Sequence, residues 1–127
     1  MKYRVLVVDD SKLARMSVAK LLSAAHPECS RLEASNADEA VTLAKSNSFD
    51  IAILDYNMPG RDGLQLAAEL VASKPGVPLA VISANHQVEV VTRAREVGAT
   101  FLQKPLTDKA LAEFLADAMK RLSAAAA

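Results

Sequence analysis

Residues 51–55 read Ile51-Ala52-Ile53-Leu54-Asp55: four apolar positions without alternation, stopped by a single acid. A strand with one wet face alternates apolar with polar residues, so an unbroken run of this length points to a strand buried on both faces of a parallel sheet. Working outward, the same signature recurs at Val5-Leu6-Val7-Val8 and at Leu79-Ala80-Val81-Ile82. Thr100-Phe101-Leu102 is a weaker fourth candidate. Arg31-Leu32-Glu33-Ala34 alternates and suits a strand at the sheet edge.

Helical patterns separate these runs. Ser11 is a candidate N-cap for a helix presenting Leu13, Val18, Leu21 and Leu22 on one face. Asn36 with Glu39 resembles a capping box ahead of Ala40, Leu43 and Ala44. Asp62 opens a third helix carrying Leu64, Ala67, Ala68 and Val71, ended by Pro75-Gly76. Val90, Ala94 and Val97 form a fourth stripe, closed by Gly98. Thr107 caps a fifth, with Leu111, Phe114, Leu115, Ala118, Met119 and Leu122 near helical spacing. Strand and helix alternate about five times, which argues for a doubly wound α/β fold. The domain is expected over residues 1–122. The Ala-rich tail, 123–127, reads as a frayed helix end, the start of a linker or a foreign remnant.

Size and charge narrow the function. A chain of 127 residues holds one core and not two. Fifteen basic and fifteen acidic residues cancel, so the basic stripe of a nucleic-acid binder is missing. One cysteine, Cys29, suits a reducing compartment, and no run approaches the roughly 20 apolar residues of a membrane span. The N-terminal apolar run is too short for a secretory signal, so the expected location is cytoplasmic.

The polar residues that end the apolar runs are more informative. Ligands of such sheets sit at the carboxyl ends of the strands. The first run ends in Asp9-Asp10, the second in Asp55, the third in Ser83 and the fourth in Lys104. Any one of these has a plain structural reading as a helix cap or a surface charge. Together they bring three carboxylates, a hydroxyl and an amine to one edge. Two carboxylates about 5 Å apart repel by roughly 3 kcal/mol at an effective dielectric near 20. Lys104 offsets one charge, and the remainder calls for a hard divalent cation with oxygen ligands, which fits Mg²⁺. A cation, a lysine, a hydroxyl and a carboxylate nucleophile suit phosphoryl transfer to an acyl phosphate, with Asp55 as the acceptor.

At this point the chain resembles the receiver domains of two-component response regulators, the fold class of the chemotaxis receiver. The motifs are Val7-Val8-Asp9-Asp10-Ser11, the segment from Leu54-Asp55-Tyr56-Asn57-Met58-Pro59 to Gly60-Arg61-Asp62-Gly63, Ser83-Ala84, and Lys104-Pro105. The resemblance implies a flavodoxin-like five-stranded parallel sheet of order 2-1-3-4-5 with five helices. It implies Asp55 as phosphoacceptor, Mg²⁺ held by Asp10, Asp55 and the Asn57 backbone carbonyl, with Asp9 acting through water. It further implies Ser83 and Phe101 as switch residues, Lys104 as partner of a phosphoryl oxygen, and a cis Lys104–Pro105 bond. Asn57 and Asn85 stand where the family tunes phosphoryl lifetime. Expected partners are a sensor histidine kinase or phosphotransfer protein and a downstream protein target, with no direct nucleic-acid or membrane contact and a monomer or weak dimer. Such a protein catalyses only its own phosphorylation and dephosphorylation.

Other residues take blander readings. His26 and His86 are isolated near helix ends, and Lys12 and Arg15 read as a solvated helix face, with receipt of a donor protein as the alternative. Val88, Val90 and Val91 cannot all be buried by one helix face, so one or two are expected to be exposed. The resemblance implies signalling through the fourth helix, fifth strand and fifth helix, where a partner surface is therefore expected. Three other classes stay open. A flavodoxin-like cofactor binder would need a Ser/Thr/Gly-rich loop where Asp9-Asp10 stands. A haloacid-dehalogenase-type phosphatase would need an acid where Ser11 stands. A receiver working purely as an interaction module keeps the same fold.

Overall fold

In chain order the elements are β1 (Arg4–Val8), α1 (Lys12–Ala25), β2 (Ser30–Ala34), α2 (Ala37–Ser46), β3 (Ile51–Asp55), α3 (Gly63–Ser73), β4 (Leu79–Ser83), α4 (Val88–Glu96), β5 (Thr100–Gln103) and α5 (Asp108–Ala126). They come from a computed structural model that describes residues 2–84 and 87–126. The three apolar runs form the sheet centre. Every pairing is parallel and the order is β2-β1-β3-β4-β5, as the resemblance implies. The alternating segment β2 lies at one edge and the short, half-exposed β5 at the other.

Because side chains alternate across a strand, each central strand feeds two cores. Leu6, Val8, Ala52, Leu54, Leu79 and Val81 face one way and pack with α2, α3 and α4. Val5, Val7, Ile51, Ile53, Ala80 and Ile82 face the other way and pack with α1 and α5. Burial on both faces is the reason these runs show no polar alternation.

The caps follow the chemistry of their residues. Ser11, Asn36 and Asp62 each accept a backbone N–H of the following turn, and Thr107 accepts from Ala110 N. Asp62 and Gln65 form a reciprocal capping box. Glu39 differs from expectation: its carboxylate accepts from Ser35 rather than from the Asn36 N–H. Two face assignments also change. Leu13 is 76% exposed, and α1 anchors instead through Val18 and Leu22. Ala68 is exposed, while Leu66 and Leu70 supply the buried face of α3 together with Leu64 and Ala67. α5 continues through the alanines to Ala126. None of the described helices is long and apolar enough to cross a membrane.

Leu22→Ala should therefore cost about 2–5 kcal/mol of stability by opening a cavity, whereas Leu13→Ala should stay within about 0.5 kcal/mol. Urea unfolding of the two variants checks this, since they sit on one helix and differ only in the face they occupy.

Candidate functional site

Parallel strands bring their carboxyl ends to one edge, and the register shows how closely. Val8 pairs with Leu54, Asp55 with Ile82, and Ser83 with Gln103. Asp9-Asp10, Asp55, Ser83 and Lys104 therefore arrive side by side. Between β1 and β3 the winding of the sheet reverses, which opens a crevice that helices do not cover.

Asp9 and Asp55 are buried, at 5% and 4% exposure, while Asp10 is exposed. Ligand oxygens of all three lie within 4.8 Å of one another. Lys104 Nζ stands 2.9 Å from Asp55 Oδ1 and 3.8 Å from Asp9 Oδ2. Burial pushes the Asp9 carboxyl above its ordinary pKa, helped by the charges of Asp55 and Asp10 and opposed by the Ser11 N–H and Lys104. Burial alone would lower the pKa of Lys104. Its contact with Asp55, and the charges of Asp9 and Asp10, outweigh that and hold it raised.

Asp55 Oδ1 is fully buried, and beside the ion pair with Lys104 it accepts no well-aligned hydrogen bond among the described residues. A buried acceptor of this kind is costly unless something else meets it. Three carboxylates against one ammonium also leave two negative charges uncompensated. An all-oxygen donor set with that charge fits a hard divalent cation such as Mg²⁺.

The remaining predicted residues gather nearby. A hollow of about 290 Å³ is lined by Asp55, Tyr56, Asn57, Ser83, Ala84 and Lys104. A roomier groove of about 450 Å³ lies between α2 and α3, but its lining includes none of the residues gathered at the strand ends. The Lys104–Pro105 bond is cis, as expected. Phe101 is half-buried on β5 and packs on the α2–α4 side of the sheet. Asn85 and His86 lie outside the described residues. His26 caps the end of α1 and pairs with Glu28 at 3.4 Å, away from the cluster.

The loop after Asp55 is held by features that residue types alone do not announce. Gly63 N donates to Tyr56 O, and a Cβ at Gly63 would fall 2.3 Å from the Asp55 carbonyl oxygen. The first residue of α3 thus rests directly on the backbone of Asp55. The available signal is the glycine itself, because a helix start has no intrinsic use for one unless another backbone comes close. Arg61 joins this loop to α2 and α3 through Asp38 and Glu69.

Comparison with known proteins agrees with the geometry. The family model of the response regulator receiver domain matches residues 5–116. The transcriptional regulatory protein PdtaR of Mycobacterium tuberculosis is 41% identical over 105 residues, 82% of this chain and 50% of that protein. The positive alginate biosynthesis regulatory protein of Pseudomonas aeruginosa is 41% identical over 118 residues, 91% of this chain and 47% of that protein. The chain thus spans about half the length of these relatives. Among solved structures, the chemotaxis protein CheY4 of Vibrio cholerae superposes with a TM-score of 0.84 at 27% identity, covering 93% of this chain and 99% of that one.

Two outcomes test the geometry. Gly63→Ala should destabilise the protein by about 1–3 kcal/mol in urea unfolding, because the new methyl meets backbone that cannot move aside. Asp9→Asn should raise stability at neutral pH in metal-free buffer. The native state favours protonated Asp9, so that preference is satisfied at low pH and lost as pH rises through the raised pKa. The advantage of the variant should accordingly shrink on acidification, measured as Tm against pH.

Proposed function

This chain belongs to the response regulator receiver family, and on that premise we propose that the Asp55 carboxylate accepts a phosphoryl group and so switches a protein-binding surface. The observation that carries the reading is the buried Asp55 carboxylate, whose oxygens lie within reach of those of Asp9 and Asp10 while the Lys104 ammonium contacts both Asp55 and Asp9. In the proposed transfer, an Asp55 oxygen attacks phosphorus in line as the bond to the donor nitrogen breaks. The donor imidazole leaves with its electron pair and is neutral once its ring proton count is restored from solvent. The product is a mixed anhydride on Asp55.

The chain's own residues contribute positioning and charge. Lys104, already against Asp55, would follow a phosphoryl oxygen. Ser83, on the same hollow, would offer its hydroxyl to another. Asp10, Asp55 and the Asn57 carbonyl would hold Mg²⁺ directly, with Asp9 acting through water. Bound there, the ion would offset the carboxylates and the charge on the equatorial oxygens. Asn57, and Asn85 beyond the described residues, would set how readily water removes the phosphoryl group. Exposed Ala84 leaves the approach open.

A sensor histidine kinase or phosphotransfer protein would be the donor, and the output would run through α4, β5 and α5. Val88 there is 79% exposed while Val90 is buried and Val91 half-buried, so α4 turns one apolar side chain outward. This is signalling rather than turnover of an external substrate. It proceeds in the cytoplasm with no direct contact to nucleic acid.

Incubation with acetyl phosphate, followed by intact mass measurement, tests the reading. One phosphoryl mass should appear in the wild type with Mg²⁺, and none in Asp55→Asn or in EDTA. Lys104→Met should slow uptake about hundredfold through loss of one charge contact. Equal labelling of Asp55→Asn would sink the acceptor assignment. No labelling together with no beryllofluoride binding would favour a receiver that signals without phosphorylation.

A further inference from the structure

Lys12 and Arg15 look alike in the sequence, yet the structure separates them. Lys12 is exposed. The Arg15 side chain is only 17% exposed and turns back under the strand ends. Its Nη1 donates to the Asp9 carbonyl oxygen at 2.6 Å, and its Nε lies 3.4 Å from Glu33 Oε1 on β2. It is neither a solvated helix residue nor part of the phosphoryl chemistry described above.

Its place explains how an exposed acid is aimed. Asp9 N donates to Ala34 O at 3.1 Å, and Asp9 Oδ1 accepts from Ser11 N at 2.9 Å. Arg15 takes the carbonyl. Every polar group of Asp9 except Oδ2 is then tied, to β2, to the α1 cap and to the α1 side chain respectively. Asp10 follows immediately and is exposed, so packing does not orient its carboxylate. Its direction is inherited from the Asp9–Asp10 peptide, whose oxygen Arg15 pins. The carboxylate repulsion in the cluster pushes against that direction, so a fixed peptide is needed to keep Asp10 near Asp9 and Asp55.

We propose that Arg15 is a positioning residue for the divalent-cation site, fixing the Asp9–Asp10 peptide so that Asp10 stays directed at Asp55, with Glu33 steering the guanidinium. The inference rests on reading the acidic cluster as a cation site. Arginine suits the task because its planar fork offers one N–H to a carbonyl and another to a carboxylate. A lysine has a single head and cannot span both partners in this way. Surroundings that orient metal ligands typically change affinity by roughly ten- to a hundredfold when removed.

The test is calorimetric titration of the full chain with Mg²⁺, alongside Tm in EDTA, for wild type, Arg15→Met, Arg15→Lys and Lys12→Met. Arg15→Met should bind Mg²⁺ roughly tenfold more weakly, Arg15→Lys should recover little of the loss, and Lys12→Met should match wild type. Tm in EDTA separates this from general destabilisation, which would lower Tm and leave Mg²⁺ affinity of the folded protein unchanged. Wild-type affinity in Arg15→Met would overturn the inference alone. Absence of Mg²⁺ binding in the wild type would overturn the cation reading and this inference with it. Should Arg15→Met not fold, full affinity in Arg15→Lys would overturn the fork argument.

Discussion

Two buried carboxylates, Asp9 and Asp55, sit against each other at the end of a sheet with one ammonium between them, and much of the surrounding structure is arranged to hold that contact. Left alone, the charges would separate or one would take up a proton, and burial does push Asp9 toward the protonated form. Neither strand can withdraw. β1 and β3 are paired along four residues, and both faces of each are packed. The cost of the cluster is met by the two cores. It appears locally as an incompletely bonded oxygen on Asp55.

The loops around the cluster act as stops. Gly63 sets the first turn of α3 on the Asp55 backbone, and Arg61 ties the same loop to α2 and α3. On the other side, Ser11 N–H and Arg15 hold Asp9. The hollow beside Asp55 is lined by Asp55, Tyr56 and Asn57 on its β3 side and by Ser83, Ala84 and Lys104 on the other.

Sequence and structure agree most where the physics is short-ranged. The caps at Ser11, Asn36, Asp62 and Thr107 depend on a side chain and a backbone N–H two or three residues away. They disagree where a face has to be chosen. Leu13 and Ala68 fit an apolar stripe by spacing, but a helix of 3.6 residues per turn can rotate slightly and satisfy a different stripe. Glu39 also prefers the Ser35 hydroxyl and N–H over the reciprocal cap.

The amino-acid sequence by itself determined the strand–helix alternation, the burial of three strands on both faces, and the set of acids, hydroxyl and amine at the strand ends. Each follows from periodicity or from the residue next to an apolar run. Tertiary structure alone decided which of the three acids is exposed, that Lys104 reaches Asp55 more closely than Asp9, that Gly63 bears on Asp55, and that Arg15 turns inward while Lys12 does not. The reason is distance along the chain. These contacts join residues from six to nearly a hundred positions apart, and their geometry depends on how helices settle on the sheet rather than on any local preference.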